Sequence, residues 1–201
     1  MKIYKILKNT SVEGPGERFC IWTQGCKKHC GGCYAKDSWD FNNGKNISTE
    51  DLFEMIKNES SKIEGVTFLG GEPFEQAQEL YELCKKIKIL NLSIVCFSGY
   101  TIEELQNKND EFINKTLEQI DLLIDGGFEK DKFDLSRPWI GSKNQRYIFL
   151  TDRYSLSDIA KYTNKIEIRI SDNGKCEING MGDFEKIEND FCLQLGKNNV
   201  K

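Results

Sequence analysis

The sequence predicts an α/β fold built on a mostly parallel sheet. Between residues 65 and 125, three short apolar runs alternate with two helical patterns, in the order strand, helix, strand, helix, strand. Each run is apolar without interruption, as in strands that are buried on both faces of a parallel sheet. Ligands bind at the carboxyl ends of such strands. Small or polar residues follow all three runs and predict one binding edge: Gly70-Gly71-Glu72-Pro73, Ser98-Gly99-Tyr100 and Asp125-Gly126-Gly127.

The N-terminal elements are predicted from local composition. Residues 2–7 alternate weakly and predict an edge strand, and residues 18–24 (RFCIWTQ) are rich in aromatic and β-branched residues, which favours a second strand. Residues 40–46 form a polar turn. Ser48 is then the predicted cap of a helix, with Asp51 in the position of a capping-box acid.

The central helices are predicted from periodicity and capping signals. A helix is expected from about Glu75 to Lys88, and Pro73 suits its first turn. Thr101 and Glu104 form a capping box for the next helix, and residues 110–118 predict another short one. The strands between them are Gly65–Leu69, Ser93–Phe97 and Asp121–Ile124. Apolar residues spaced i, i+3, i+4, i+7 define the core side of the first helix: Leu80, Leu83, Cys84 and Ile87.

The C-terminal third is predicted to extend the same domain. Residues 128–143 form a polar stretch long enough to be a binding loop or lid. Residues 145–150 predict a strand and 155–161 a short helix, and the turn Asp172-Asn173-Gly174 predicts a hairpin between residues 165–170 and 176–178. We expect a core domain over residues 1–150 and an extension over 151–201, with the last residues disordered.

Composition excludes several functional classes. The chain has 201 residues, a net charge of −4 and a pI near 5.3, which argues against nucleic-acid binding. No apolar run approaches the ~20 residues that span a bilayer, so no membrane partner is expected. The start, MKIYKILKNT, lacks the apolar core and cleavage site of a signal peptide. We therefore expect a cytoplasmic protein.

Three of the eight cysteines lie within eight residues. Cys26, Cys30 and Cys33 follow a C-x3-C-x2-C spacing, and two adjacent glycines favour an open loop over a helix. Thiolates are soft metal ligands, and clustered cysteines in a reducing compartment indicate a metal or redox centre. The five dispersed cysteines are predicted to be small buried apolar residues: Cys20, Cys84, Cys96, Cys176 and Cys192.

The loop has three interpretations: a structural zinc site, unliganded thiols and a [4Fe-4S] cluster. Structural zinc needs four ligands, and the single histidine, His29, is adjacent to Cys30, an unfavourable position for a shared metal. His29 is more simply a solvent-facing loop residue than a catalytic base. Three unliganded thiols would be open to oxidation. A [4Fe-4S] cluster normally takes four cysteines, so three would leave one iron open to a substrate or cofactor.

Together, the cysteine spacing and Gly70-Gly71-Glu72-Pro73 after the next apolar strand resemble the radical S-adenosylmethionine superfamily. The resemblance implies an incomplete (β/α) barrel. It also implies one [4Fe-4S] cluster with Cys26, Cys30 and Cys33 on three irons and the amino and carboxylate groups of S-adenosyl-L-methionine on the fourth. An electron from the reduced cluster would then release a 5′-deoxyadenosyl radical.

Within that superfamily the chain is similar to the activating enzymes of anaerobic ribonucleoside-triphosphate reductase. This implies a glycyl radical enzyme as partner, with that reductase expected, and an electron donor such as flavodoxin or ferredoxin. The matching pieces are Gly14-Pro15-Gly16, Gln24-Gly25-Cys26, Gly32-Cys33-Tyr34, Ser38-Trp39-Asp40, Gly70–Phe74, Ser98-Gly99-Tyr100-Thr101, Asp125-Gly126 and Gly141-Ser142-x2-Gln145-Arg146. The chain departs from these enzymes at Glu13, Glu17 and Gly127.

The resemblance also implies residue roles. The main chain of Gly70 and Gly71, with Glu72, would hold the methionine amino group, and no catalytic residue is expected beyond the cluster ligands. Glu72 could instead be an acid favoured at a helix N-terminus, and Asp125 a simple turn residue. The remaining cofactor contacts are Gly32 and Tyr34 near the adenine, and Ser98 and Asp125 on the ribose or carboxylate. The alternatives are a radical enzyme acting on a peptide or small molecule, and a zinc- or cluster-bearing binding module without catalysis.

Overall fold

A seven-stranded sheet forms the centre of the molecule in the computed structural model, which describes residues 1–174, 176–184 and 186–187. The order across the sheet is β3-β1-β2-β4-β5-β6-β7. The strands are β1 (Lys2–Thr10), β2 (Arg18–Thr23), β3 (Lys45–Asn46), β4 (Gly65–Gly70), β5 (Ser93–Phe97), β6 (Leu122–Asp125) and β7 (Arg146–Phe149).

The four central strands are parallel. β2 pairs with β4, β4 with β5 and β5 with β6 in parallel register, which confirms the predicted parallel core. β1, β3 and β7 add antiparallel strands at the two sides. β1 was predicted as an edge strand, and only its first two residues pair with the short strand β3, which lies in the stretch predicted as a polar turn. The incomplete barrel stays a prediction.

The helices begin where the capping signals predicted. Ser48 accepts a hydrogen bond from the main chain of Asp51, and Thr101 and Glu104 form both bonds of a capping box. Pro73 opens a 3₁₀ turn that leads into the second α-helix. The helices are α1 (Thr49–Glu59), α2 (Ala77–Ile89), α3 (Ile102–Asn107), α4 (Glu111–Leu117) and α5 (Leu156–Ile159).

The main core lies between the sheet and helices α1, α2 and α4, and the predicted stripe on α2 is fully buried in it. Cys20, Cys84 and Cys96 are also fully buried, as predicted, and burial raises the pKa of all three thiols. The prediction for Cys176 was wrong, because its side chain is exposed on a hairpin at the surface. Cys192 and the C-terminal residues predicted to be disordered lie outside the described residues.

A buried guanidinium ties together the amino ends of the parallel strands. Arg18 opens β2 and donates to Thr67 Oγ1 at 3.0 Å, to Ser93 Oγ at 2.6 Å and to the Val66 carbonyl at 2.6 Å. Tyr154 donates to the same Ser93 hydroxyl at 2.7 Å. Burial lowers the pKa of Arg18, and neutral acceptors take up its donors. This polar network lies at the end of the sheet opposite the predicted binding edge.

A two-stranded hairpin, β8 (Ile166–Ile170) and β9 (Cys176–Gly180), packs against β1 and the loop after it. Its polar face points inward. Thr10 donates to Glu167 at 2.8 Å, Lys5 pairs with Glu177 at 3.3 Å, and the main chain of Gly180 donates to Glu13 at 2.7 Å. These contacts fix the C-terminal segment to the sheet. Within the described residues, no helix has both the length and the apolar character required to cross a membrane.

Candidate iron–sulfur site

The cysteine loop, residues 25–39, leaves the sheet at the carboxyl end of β2 and is closed at its base by main-chain hydrogen bonds. Gly25 donates to Ser38 at 2.7 Å and Cys26 to Trp39 at 3.1 Å. The base is also joined to the turn after β4, because Glu72 donates to the Gly25 carbonyl at 2.9 Å. The predicted cysteine loop and Gly-Gly-Glu-Pro turn are therefore direct neighbours.

The three cysteines occupy an open loop rather than a helix, as the glycines predicted. Cys26 lies at the base and is 7% exposed, whereas Cys30 and Cys33 are half-buried further out. Partial burial raises the pKa of the Cys26 and Cys30 thiols. Cys30 Sγ packs over Gly127, 3.2 Å from the position that a Cβ atom would take there. The loop thus crosses from the end of β2 to the end of β6.

The chemical type of the available ligands, three thiols, suits an iron–sulfur cluster. Cys26, Cys30 and Cys33 are free thiols on one loop, and thiolates are the usual ligands of such clusters. Of the other described cysteines, Cys20, Cys84 and Cys96 lie in the core and Cys176 lies on the surface hairpin. In residues 1–174, 176–184 and 186–187, no three Cys, His, Asp or Glu side chains are gathered as a preformed metal cage.

Glu72 joins the carboxyl ends of β4 and β5. Its carboxylate is fully buried and accepts from Ser98 Oγ at 3.0 Å, from the main chain of Gly99 at 2.7 Å and from the main chain of Phe74 at 3.1 Å. Burial raises the pKa of Glu72 to about 7. The structure therefore gives Glu72 the capping role that was the simpler alternative. The predicted contact of Glu72 and Ser98 with a cofactor stays a prediction.

Gly70 and Gly71 allow the turn before Glu72 to approach its neighbours closely. Gly70 has a φ of +101°, in the left-handed region that favours glycine. A Cβ atom on Gly71 would lie 2.5 Å from the Gly25 carbonyl oxygen. These two glycines hold the cysteine loop against the strand ends. Their predicted contact with the methionine amino group stays a prediction.

The last two residues before β7 and its first residue bind the last residue of β6 and the two glycines after it. Asn144 donates to the Gly127 carbonyl at 2.7 Å, and Gln145 donates to the Gly126 carbonyl at 3.0 Å. Arg146 binds both carboxylate oxygens of Asp125, which is fully buried. Asp125 also accepts from the main chain at the start of α3, at 2.8 Å. Asp125 is thus a structural anchor here, and its predicted ligand contact is untested.

Gly32 and Tyr34 lie on the outer half of the cysteine loop. Gly32 has a φ of +85°, and a Cβ atom there would lie 3.0 Å from the ring of Phe128. Tyr34 is 53% exposed and stacks on Phe184, with ring centroids 4.0 Å apart. His29 is exposed and stacks on Trp39, as suits a loop residue. The predicted adenine contacts of Gly32 and Tyr34 stay predictions.

An open depression lies beside the base of the cysteine loop, on the side of Trp39. Its volume is about 500 Å³. Aromatic, basic and polar side chains line it together with one cluster thiol: Cys26, Lys27, His29, Trp39, Asp40, Phe41 and Asn42. The base of the cysteine loop is therefore accessible from this side.

Residues 12–148 match the family described as a 4Fe-4S single cluster domain. The chain belongs to this family. The cysteine thiols alone could bind iron or zinc. Membership of this family indicates a 4Fe-4S cluster. The match spans the cysteine loop, the Gly-Gly-Glu-Pro turn and the strand ends, and it ends within β7.

Several curated proteins are similar to this member of the 4Fe-4S family, and they carry one name, anaerobic ribonucleoside-triphosphate reductase-activating protein. The protein from Pasteurella multocida is 36% identical over 141 residues, 67% of this chain and 88% of its own length. That of Enterobacteria phage T4 is 31% identical over 70% of this chain and 89% of its own. That of Escherichia coli K12 is 30% identical over 67% and 89%.

Sequence reasoning missed the structural role of Asn144, Gln145 and Arg146. The motif around Gly141 and Gln145 was a usable signal, since it matched the activating enzymes, but it carried no indication of what the side chains bind. It also missed Phe184, for which the sequence offers no signal. Both omissions concern contacts between segments far apart in the chain.

Proposed function

We propose that this protein is a radical S-adenosylmethionine enzyme that generates a glycyl radical on anaerobic ribonucleoside-triphosphate reductase. One observation carries the proposal: the cysteine loop is hydrogen-bonded to the Gly-Gly-Glu-Pro turn, because the main-chain N–H of Glu72 donates to the Gly25 carbonyl. Three thiols and a glycine turn thus share one edge of a parallel sheet. The family membership and the names of the relatives support the cluster and the partner.

The thiols of Cys26, Cys30 and Cys33 would hold three irons and leave the fourth for the cofactor. The bound cluster would supply the electron that cleaves a C–S bond of S-adenosylmethionine into methionine and a 5′-deoxyadenosyl radical, which would take a hydrogen atom from a glycine of the reductase and become 5′-deoxyadenosine. The cofactors carry this chemistry, and the protein binds, orients and shields them.

The protein's own contribution is a fixed edge of strand ends. Glu72 holds the ends of β4 and β5 together, and Arg146 and Asp125 fix the end of β6 to β7. Gly70 and Gly71 bring main-chain groups close to the base of the cysteine loop, where an amino group could be received. Such pre-arranged polar groups position a reactant without reorganisation during the reaction.

The proposal is tested by anaerobic reconstitution. The protein is purified without oxygen, iron and sulfide are counted, and dithionite and S-adenosylmethionine are added with and without the reductase. We expect close to four irons per chain, formation of 5′-deoxyadenosine, and a glycyl radical doublet by electron paramagnetic resonance when the reductase is present.

Two results would contradict different parts of the proposal. A colourless protein with one zinc would exclude the radical chemistry altogether. Formation of 5′-deoxyadenosine without a doublet on the reductase would retain the chemistry and exclude this partner. A second glycyl radical enzyme, added in place of the reductase, shows whether the doublet is specific.

A further inference from the structure

We propose that Phe184 is a positioning residue that braces the outer half of the cysteine loop through Tyr34. Phe184 lies beyond residue 148, where the match to the 4Fe-4S family ends. The proposal therefore gives the C-terminal segment a part in the iron–sulfur site. It rests on the proposed use of this loop to hold the cluster.

The outer half of the cysteine loop lies at the surface, where a main-chain bond from Cys33 to Cys30 and the packing of Gly32 against Phe128 hold it. Gly31, Gly32 and Tyr34 are exposed, and a Cβ atom on Gly31 would meet nothing within 4 Å. The first half contacts α3, since Lys28 pairs with Glu104 at 3.3 Å. The second half carries Cys33, so its position decides whether the third thiol can join the other two.

Phe184 meets this half of the loop with a close aromatic contact. Its ring lies 4.0 Å from that of Tyr34, with 21° between the planes, which is a stacked arrangement. Tyr34 immediately follows Cys33, so an ordered Tyr34 ring restricts the main chain that carries the third thiol. Stacked pairs stabilise by ~0.5–1.5 kcal/mol beyond the area they bury.

Phe184 is itself held by the hairpin that packs on β1. Met181 continues the hairpin by donating to the Lys165 carbonyl at 2.9 Å. Asp183 then starts a helical turn, because its side chain accepts from the main chain of Lys186 at 3.1 Å. Gly180 has a φ of +103°, and a Cβ atom there would lie 2.2 Å from the Lys165 carbonyl oxygen. Glycine therefore allows the chain to turn from β9 toward the cysteine loop.

The hairpin fixes the position of Phe184 relative to the sheet. Its contacts with Thr10, Lys5 and Glu13 are polar and specific, and they fix where residue 180 lies relative to β1. Met181 also packs toward Gly141, 3.6 Å from the position of a Cβ atom there. The segment from β8 to Phe184 thus extends from β1 to the outer half of the cysteine loop.

The test combines hydrogen exchange on the cluster-free protein with iron release from the reconstituted protein. We expect Phe184→Ala to speed amide exchange in the peptide that covers residues 31–37, and to speed iron loss to a chelator roughly two- to tenfold. Phe184→Tyr keeps the stack and should restore both rates. Ile170→Ala, on the exposed side of the hairpin, is the matched control and should change neither.

A double-mutant cycle distinguishes the brace from general damage to the fold. If Phe184 acts through Tyr34, the effects of Phe184→Ala and Tyr34→Ala on exchange are not additive. Additive effects, or unchanged exchange in Phe184→Ala, would overturn the proposal. Exchange is measured without cluster or cofactor, so it does not depend on the proposed function. Faster exchange in Phe184→Ala, combined with no iron binding by wild type or any variant, would contradict the proposed function and still support the role of Phe184.

Discussion

Arg146 donates two hydrogen bonds to the buried carboxylate of Asp125, from Nε to Oδ1 at 2.9 Å and from Nη2 to Oδ2 at 2.6 Å. Asp125 ends β6 and Arg146 begins β7, so the pair locks an antiparallel strand onto the parallel sheet. The bonds to Asp125, and then to Glu103, raise the pKa of Arg146. The buried carboxylate depends on this one guanidinium and on the main chain of Ile102.

Loss of the guanidinium should therefore be costly. We expect Arg146→Met to lower the free energy of unfolding by about 2–3 kcal/mol, because a buried charged acceptor loses its charged donor. Arg146→Lys keeps the charge but not the two-bond geometry, so its free energy of unfolding should lie between those of wild type and Arg146→Met. Glu103→Gln removes the exposed partner of the same arginine and should have little effect. Denaturant unfolding measures all three, and wild-type stability in Arg146→Met would contradict this role.

A single methyl group at Gly71 should disturb the base of the cysteine loop. Gly71→Ala would place a carbon 2.5 Å from the Gly25 carbonyl oxygen, so the turn and the loop must separate. We expect a loss of about 1–3 kcal/mol in unfolding free energy, as for other overpacked sites. Gly31→Ala is the matched control, since the space around Gly31 is open. Equal melting temperatures for the two variants would contradict the close approach.

Glu13 should make stability depend on pH. Burial raises its pKa from 4.5 to about 7, although bonds from Gly180 and Asn179 and the charge of Lys5 oppose the shift, which Glu167 reinforces. The folded protein then binds the proton more tightly than the unfolded chain. Its contribution to the free energy of unfolding falls as pH rises from about 4.5 to about 7, and stays low above that.

Glu13→Gln should remove the Glu13 contribution and leave that of Glu72, whose pKa burial also raises to about 7. Comparing urea unfolding at pH 5 and pH 8, we expect wild type to lose up to about 3 kcal/mol more than the variant across that interval. The hairpin should respond first, since Glu13 accepts from its last strand residue. If both proteins show the same pH dependence, Glu13 is not the group responsible.

Cys30→Ala should remove the cluster while leaving the fold. Cys30 is half-buried on an open loop, so its loss leaves no large cavity. We expect iron content and the visible absorbance to collapse, no 5′-deoxyadenosine to form, and unfolding of the metal-free protein to change by less than about 1 kcal/mol. Cys176→Ala removes an exposed thiol on the hairpin and should keep its iron. Full iron content in Cys30→Ala would exclude it as a ligand.

Local patterns predicted the elements because their causes are local. The Thr101–Glu104 capping box and the i, i+3, i+4, i+7 stripe that ends at Ile87 involve residues within two turns of one helix, and the structure contains both. The order of apolar runs likewise predicted the parallel core. The spacing of the three cysteines and the Gly-Gly-Glu-Pro turn pointed to a cluster, and the family match supports it.

The sequence by itself therefore predicted the helices, the described strands other than β3, the cysteine loop and the edge of the sheet where they meet. The tertiary structure decided which partners the polar groups take. Glu72 turns inward to Ser98, 26 positions away, and Phe184 reaches Tyr34 from the far end of the chain. The alternation in residues 165–170 could not show which face is inward. The polar face packs inward and is half-buried because the surface it meets, at Lys5 and Thr10, is polar too.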